Sequence, residues 1–193
     1  NRVDKCGYFK VPTKIKTDAP VFIPKKEVQQ FVDWEENKHH LDTGSDLIKF
    51  MINFFGDEEK VLNTIKKYHV RTMEVNYAVF PFIDNKNRIT YVKKMHYING
   101  KRDKKIYRVF KAYKGVFKQC LFGLHLVDTS KNVCVVESEK TALFCDIMYP
   151  EYTWVATGGE MMINKINVLE KATVFADKGK AFQYWSTKID KSR

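Results

Sequence analysis

The 193-residue sequence predicts an α+β protein in which a helical layer, an antiparallel β-rich segment and a parallel α/β segment follow one another. Three observations support this fold class: helical spacing of apolar residues up to Tyr68, strand-like runs from Tyr77 to Phe110, and four-residue apolar strands alternating with helices after Val133. With 44% hydrophobic and 30% charged residues, the chain can bury a core but is short for two full-sized domains.

The changes of pattern along the chain place boundaries after residues 24, 70 and 130. Residues 1–24 are a proline-punctuated lead-in, residues 25–70 the helical layer, residues 71–130 a basic β-rich subdomain, and residues 131–193 the α/β subdomain. The chain opens on Asn1 rather than on methionine, so we expect it to be a trimmed piece of a longer protein.

The helical layer is predicted to contain two or three short amphipathic helices. Gly56 separates the last two, and Asp57 supplies an N-cap that is followed by acidic residues in the first turn. The apolar residues at helical spacing are Val28, Phe31, Val32, Leu47, Ile48, Phe50, Met51, Phe54, Val61, Leu62, Ile65 and Tyr68.

The middle of the chain contains short runs rich in β-branched and aromatic residues. These runs are Tyr77–Ile83, Ile89–Tyr97 and Ile106–Phe110. Turn-forming residues lie between them, at Asp84–Asn87 and at Asn99-Gly100, so the sequence predicts antiparallel hairpins.

From Val133 onward, short apolar strands alternate with helical segments, which is typical of a parallel α/β sheet. Ligands of such sheets bind beyond the carboxyl ends of the strands. The predicted order is a strand at Val133–Val136, a helix at Glu139–Met148, a strand at Thr153–Ala156, a turn at Gly158-Gly159, a helix near Met161, a strand at Thr173–Ala176 and a final helix from Lys180.

The net charge of +11 is concentrated in one segment. From Lys86 to Lys118 there are 12 basic residues and one acid, whereas the other 160 residues hold 22 charges of each sign. Aromatic residues are interleaved with these cations, which predicts contact with single-stranded nucleic acid, since cations neutralise phosphates and aromatic faces stack bases. The alternative is a half-buried strand with aromatic residues facing the core and lysines facing water. The candidate contact residues are Arg88, Lys93, Lys94, Lys101, Arg102, Lys104, Lys105, Arg108 and Lys118.

Two acids, Glu137 and Asp177, directly follow predicted strands of the α/β segment. If the two strands are neighbours, both carboxylates project into one crevice, and paired carboxylates suit a hard divalent ion such as Mg²⁺. The alternative is that these acids only cap the helices that follow. Lys140 lies in the first turn of the helix after Glu137, where it either holds a phosphate or is a solvated lysine.

Several function classes lack their motifs in this sequence. The four cysteines lie far apart, at positions 6, 120, 134 and 145, and no two of them form a Cys-x-x-Cys motif. This spacing favours buried free thiols in a reducing cytoplasm. Phosphate-loop, nucleophile-elbow and dinucleotide-binding glycine motifs are missing, so common hydrolases, P-loop ATPases and dinucleotide enzymes are disfavoured. No apolar run approaches the ~18 residues that a membrane-spanning helix needs, and we expect a cytoplasmic protein.

Four segments resemble motifs of a known family. Val133–Leu143 resembles the first Toprim motif, and Thr173–Trp185 resembles the second. Phe80–Asp84 with Arg88 is similar to the Phe-Pro-Ile segment of bacterial primase cores, and Lys118 with Leu121–Leu124 is similar to the element that precedes Toprim there. The chain also contains the short motifs ESEKTA (Glu137–Ala142) and ATGG (Ala156–Gly159). In these motifs it resembles Toprim-containing, primase-like proteins of bacterial conjugative and other mobile elements.

The resemblance implies a metal-dependent nucleotidyltransferase, a DNA primase that makes primers in the replication or transfer of a mobile element. It implies that Glu137 is a general base or metal ligand, that Asp177 holds Mg²⁺ or Mn²⁺, and that Lys140 belongs to the catalytic set. The implied partners are nucleotides, single-stranded DNA or RNA, and a helicase or other replication protein. Asn1–Phe9 is similar to the end of a zinc ribbon, so Cys6 is expected to bind Zn²⁺ only if that ribbon is present.

The sequence also departs from this family. Gly179 stands where polymerising primases have the second Asp of Asp-x-Asp, and the chain stops at Arg193, before the later part of a Toprim sheet. Glu139 either compensates in part for the missing carboxylate or, as a helix residue, faces solvent, and we expect it to face solvent. Two alternatives therefore stay open: a catalytically decayed module that binds single-stranded DNA, and a Toprim-type nuclease.

Overall fold

An antiparallel sheet and a parallel sheet, with helices packed on them, form the protein. The computed structural model describes residues 31, 45–73, 76–103, 118–128 and 130–189. The lead-in at residues 1–24, the strand expected at Ile106–Phe110 and, Phe31 apart, the helix expected around Val28–Val32 lie outside the described residues.

Two short helices, α1 (Asp46–Phe55) and α2 (Glu58–Lys67), form the helical layer that the sequence predicts. The Ser45 hydroxyl accepts a hydrogen bond from the Ile48 amide, and the Asp57 carboxylate accepts one from the Lys60 amide at 2.9 Å, so both N-termini are capped. The predicted N-cap at Asp57 is therefore confirmed. Within the described part of the chain, no helix is long and apolar enough to cross a membrane.

Within the described ranges, the antiparallel sheet contains four strands in sequential order: β1 (Arg71–Met73), β2 (Tyr77–Ile83), β3 (Ile89–Ile98) and β4 (Lys101–Arg102). Both predicted turns are present. Between β3 and β4, Asn99 and Gly100 have φ angles of 48° and 69°, the left-handed conformation that a tight hairpin turn requires. This turn lies against α1, because a Cβ atom on Gly100 would approach the Phe50 ring to 2.3 Å.

The parallel sheet contains β5 (Val133–Val136), β6 (Thr153–Ala156) and β7 (Thr173–Val174), in the order β6-β5-β7. Helices α3 (Glu139–Met148) and α4 (Lys180–Ile189) follow β5 and β7. Two expectations need correction: the segment near Met161 is a 3-10 helix over Glu160–Val168, and β7 has two residues instead of four. Strand β7 pairs with β5, and the exposed Phe175 follows its last residue.

The core lies where the helical layer and the two sheets meet. Phe122 joins the sheets, because its backbone amide and carbonyl both pair with Ala156 of β6 and its ring contacts the Phe80 and Phe82 rings of β2, each at 5.8 Å between centres. The buried ring of Tyr68 stacks on the Phe122 ring at 5.2 Å, and the Tyr68 hydroxyl donates to the Trp154 carbonyl at 2.7 Å. Packing of large aromatic side chains thus fixes α2 against the parallel sheet.

A buried carboxylate also ties α2 to α3. Asp146 of α3 is 4% exposed and accepts hydrogen bonds from the Lys67 ammonium at 2.6 Å, the Tyr68 hydroxyl at 3.3 Å and the Thr64 hydroxyl at 3.4 Å. We expect Asp146→Ala to lower the free energy of unfolding by about 2 kcal/mol, because it leaves the buried Thr64 hydroxyl without its acceptor and the partly exposed Lys67 ammonium without its ion-pair partner. Urea denaturation of the variant beside Glu151→Ala, which removes an exposed carboxylate, measures this difference.

Candidate active site

The parallel sheet brings Glu137 and Asp177 to the same edge. Strand β5 pairs with β7 in register, Cys134 with Thr173 and Val135 with Val174. The two strands are therefore neighbours, which is the condition for both carboxylates to lie at one crevice. Glu137 follows the last residue of β5, and Asp177 follows β7 by three residues. Asp177 is close enough to Glu137 to raise its pKa by electrostatic repulsion.

The environment of Glu137 favours a neutral group or a nearby cation. Burial is the largest cause of its raised pKa, and repulsion from Asp177, Glu160 and Glu139 adds to it, while the charge of Lys93 acts in the opposite direction. No three His, Cys, Asp or Glu side chains in the described ranges are gathered closely enough to form a metal centre by themselves. Two carboxylates still fit Mg²⁺, which keeps several waters and takes further oxygens from phosphates.

A cavity of about 210 Å³ opens beside Glu137. A larger cavity of about 350 Å³ lies at the opposite, amino-terminal ends of β5 and β7, so volume alone does not single out a candidate site. The gathered charges and the raised pKa of Glu137 favour the smaller cavity as the candidate. The residues that line the cavity beside Glu137 are Lys93, Met95, Tyr97, Arg102, Glu137, Ser138, Glu139, Lys140, Gly158 and Gly159.

The side chain of Glu139 is buried in this site, so the expectation that it faces solvent is wrong. It is 1% exposed, and both of its carboxylate oxygens accept hydrogen bonds from the Lys93 ammonium, at 2.8 and 3.1 Å. The expectation failed because β3, which is distant in sequence, covers the first turn of α3. One feature of the sequence could have indicated a partner for Glu139. Lys93 lies on the same face of β3 as the aromatic and apolar side chains, and a lysine on such a face needs a nearby acidic partner.

Lys140 contacts the antiparallel sheet. Its ammonium donates to the Gly100 carbonyl at 2.6 Å and lies 5.3 Å from the ring centres of Phe50 and Phe144. Burial lowers its pKa. Lys140 therefore links α3 to the turn between β3 and β4 at the cavity wall, and its phosphate-holding role stays a prediction.

The structure separates the predicted nucleic-acid contacts into three groups. Lys101, Arg102 and Lys118 are exposed. Arg88 forms an ion pair with Asp84 at 2.7 Å and stacks on the Phe31 ring. Lys94 is buried and lies over the Tyr77 ring at 4.0 Å, whereas the partly buried Lys93 is paired with Glu139. Lys104, Lys105 and Arg108 lie outside the described residues.

The loop after β6 is fixed by a lysine that the sequence pattern did not single out. The ammonium of Lys165 donates to the Thr157 carbonyl at 2.6 Å, and burial lowers its pKa to about 8. The next residue, Gly158, has a φ angle of 83°, and a Cβ atom there would lie 2.7 Å from the Gln119 amide nitrogen and 3.2 Å from a Glu139 oxygen. This position therefore requires glycine.

The described cysteines are free thiols, as expected. Cys134 is buried, Cys120 and Cys145 are half-buried, and burial raises the pKa of each thiol. Raised pKa values leave little reactive thiolate at neutral pH. Cys6 lies outside the described residues.

The raised pKa of Glu137 gives cation binding a pH dependence. Because the folded protein holds this proton to a higher pH than an ordinary glutamate does, a cation must displace it, and Mn²⁺ affinity falls about tenfold per pH unit below that pKa. The same shift means that Glu137 favours the folded state at low pH and loses that contribution as pH rises through its folded pKa. Mn²⁺ titrations of the wild type between pH 5 and 8 measure the first effect. Urea unfolding over the same pH range measures the second, and Glu137→Gln, which lacks the titrating group, should lose this contribution to the pH dependence of stability.

Comparison with solved structures shows a primase-like fold. The chain is similar to the crystal structure of the primase fragment of the bacteriophage T7 primase-helicase protein, with a TM-score of 0.50, 20% identity, and coverage of 65% of this chain and 54% of that fragment. It thus spans about half the length of that fragment. A structure of the T7 lagging-strand DNA polymerase interacting with primase domains bound to an RNA/DNA hybrid and dTTP matches with a TM-score of 0.45 and 16% identity, over 66% of this chain and 67% of that one. No curated protein matches the sequence significantly.

A family match covers both sheets and the carboxylate pair. Residues 45–178 match a family described as "Domain of unknown function (DUF6371)". The matched range begins at the N-cap of α1 and ends one residue after Asp177. Because this match includes well over half of the sequence, the chain belongs to the DUF6371 family.

Proposed function

We propose that the protein is a Toprim primase-like enzyme that binds single-stranded nucleic acid and makes primers by metal-dependent nucleotidyl transfer, in the replication or transfer of a mobile element. The main support is the position of Glu137 and Asp177 at the ends of neighbouring parallel strands in a primase-like fold. The sequence resemblance to Toprim primases of mobile elements supplies the reaction class.

In this proposal, Glu137 and Asp177 hold Mg²⁺ or Mn²⁺ at the mouth of the cavity. The ion supplies charge stabilisation to the phosphoryl group being transferred. The chain supplies orientation: the Lys165–Thr157 and Lys93–Gly158 hydrogen bonds fix the loop beside Glu137. Lys140 holds the β3–β4 turn against the same cavity.

The β3–β4 turn is the proposed contact for the nucleic-acid backbone. Lys101 and Arg102 are exposed, and Arg102 also lines the cavity beside Glu137. We expect Lys101→Ala and Arg102→Ala each to weaken binding of a single-stranded oligonucleotide and to reduce the slope of log affinity against log salt by ~1. Fluorescence anisotropy over a range of salt concentrations measures this slope. Lys171→Ala, an exposed site in the wall of the larger cavity, should leave it unchanged.

Partners and location follow from the same proposal. The similar T7 protein is a primase-helicase, which supports a helicase or other replication protein as a partner. A cytoplasmic location fits these partners. A Zn²⁺ requirement is expected only where an N-terminal ribbon containing Cys6 is present.

Primer synthesis on a single-stranded DNA template tests the proposal directly. With labelled nucleotides and Mg²⁺ or Mn²⁺, the wild type should make short complementary oligonucleotides, and Asp177→Asn should make far fewer. Lys171→Ala is the control with an intact site. Template cleavage without synthesis would indicate a Toprim-type nuclease, and binding without either reaction would indicate a decayed binding module. Each of these two results contradicts the proposal.

A further inference from the structure

A buried ammonium group lies within the carboxylate cluster. The Lys93 side chain is 13% exposed, and its nitrogen contacts both Glu139 oxygens and, at 2.9 Å, the Gly158 carbonyl oxygen. Carboxylate and carbonyl oxygens are the ligands that hard cations bind. The ammonium therefore sits among the oxygen atoms that would otherwise suit an inorganic cation.

This lysine lies within electrostatic reach of the proposed metal site. Glu139 and Glu137 line the same cavity, two residues apart in sequence. Repulsion from Glu139 raises the pKa of Glu137, whereas the charge of Lys93 lowers it, so both groups act on Glu137. The charge of Lys93 offsets the repulsion that Asp177, Glu160 and Glu139 exert on Glu137. Lys165 also interacts electrostatically with Glu139 but forms its hydrogen bond with the Thr157 carbonyl.

We propose that the Lys93 ammonium occupies a cation position between Glu139 and the Gly158 carbonyl, so that the site takes a single divalent ion at Glu137 and Asp177. The inference rests on the proposed function, which assigns that single ion to Glu137 and Asp177. Sites with two metal ions hold them about 4 Å apart as a joint clamp on the reacting oxygens. Here a covalently attached cation stands in the second position, and its charge is present at any metal concentration.

Calorimetric titration with Mn²⁺ tests this assignment through stoichiometry. The expected result is one ion for the wild type, two for Lys93→Gln, and one for the double variant Lys93→Gln/Glu139→Gln, which loses the freed carboxylate. Lys171→Gln is the control, since it removes one positive charge at an exposed position in the wall of the larger cavity, away from Glu139. One ion in the wild type and one in Lys93→Gln, at unchanged affinity, would overturn the inference and leave the proposed function standing.

Thermal unfolding gives an independent readout. Lys93→Gln leaves the buried Glu139 without its ion-pair partner. The variant should therefore melt below the wild type, and Mn²⁺ should raise its Tm by more than it raises that of the wild type. If the variant is unfolded without metal, recovery of folding with Mn²⁺ supports the inference and a lack of recovery overturns it. Binding by Lys93→Gln alone, with none by the wild type, would support the lysine assignment while contradicting the proposed metal site. No Mn²⁺ binding by either protein would overturn both.

Discussion

Glu137→Gln should abolish specific Mn²⁺ binding and lower the rate of primer synthesis about a thousandfold. A bound divalent ion contributes several kcal/mol of charge stabilisation, and each 1.36 kcal/mol corresponds to about a tenfold change in rate. Glutamine preserves the volume of Glu137 and removes the charge that opposes Asp177. The variant should therefore fold, and its loss of activity should come from the loss of the ion.

The matched control for this variant is Glu151→Gln. Glu151 is an exposed carboxylate in the turn before β6, so its replacement removes the same charge from the same sheet without touching the cavity. Calorimetry and the template assay should give wild-type values for the control. Full Mn²⁺ binding or full primer synthesis by Glu137→Gln would show that Glu137 is not part of the catalytic site.

Gly158→Ala should lower primer synthesis about a hundredfold and should also destabilise the protein. Its φ angle of 83° is unfavourable for a residue with a Cβ atom, at a cost of about 1–3 kcal/mol. The added methyl group would also press on Gln119, Phe82 and Glu139 at 2.7, 3.1 and 3.2 Å. Displacing the loop moves the Gly158 carbonyl away from Lys93, and a shift of about 1 Å near a reacting centre costs about a hundredfold in rate.

Gly56→Ala separates the strain from the close contacts. Gly56 ends α1 with a φ angle of 65°, and a Cβ atom there would have no neighbour within 4 Å. This control should lose stability from backbone strain alone and keep its full activity after correction for the folded fraction. Equal activity of Gly158→Ala and Gly56→Ala, measured below both melting temperatures, would contradict the role of the Gly158 loop.

Local patterns in the sequence predicted most of the elements around the site. The apolar spacing and the N-cap at Asp57 located α1 and α2, and Asn99-Gly100 located the second hairpin turn. Short apolar strands followed by acids placed Glu137 and Asp177 at one sheet edge, because parallel strands end at the same edge. These features depend on residues that are close in sequence, and therefore a single chain is enough to predict them.

Local sequence patterns do not predict contacts between segments that are distant in sequence. Lys93 and Glu139 are 46 residues apart in sequence. The pattern of residues along β3 does not indicate that Lys93 pairs with Glu139, and neither does the pattern along α3. Lys94 was predicted from charge to contact nucleic acid, but its side chain is buried against Tyr77. Net charge reports how many cations a segment contains, whereas their exposure depends on how the strands pack.

A crystal soaked in Mn²⁺ tests the central claim most directly, because the anomalous signal of manganese reports the position of each bound ion. The account predicts one strong peak between the carboxylates of Glu137 and Asp177, with the Lys93 ammonium still bound to Glu139. The same soak of Glu137→Gln crystals should show no peak there. A wild-type map without a peak at this edge of the sheet, or with its only strong peak elsewhere, would contradict the assignment of a metal-dependent primase site.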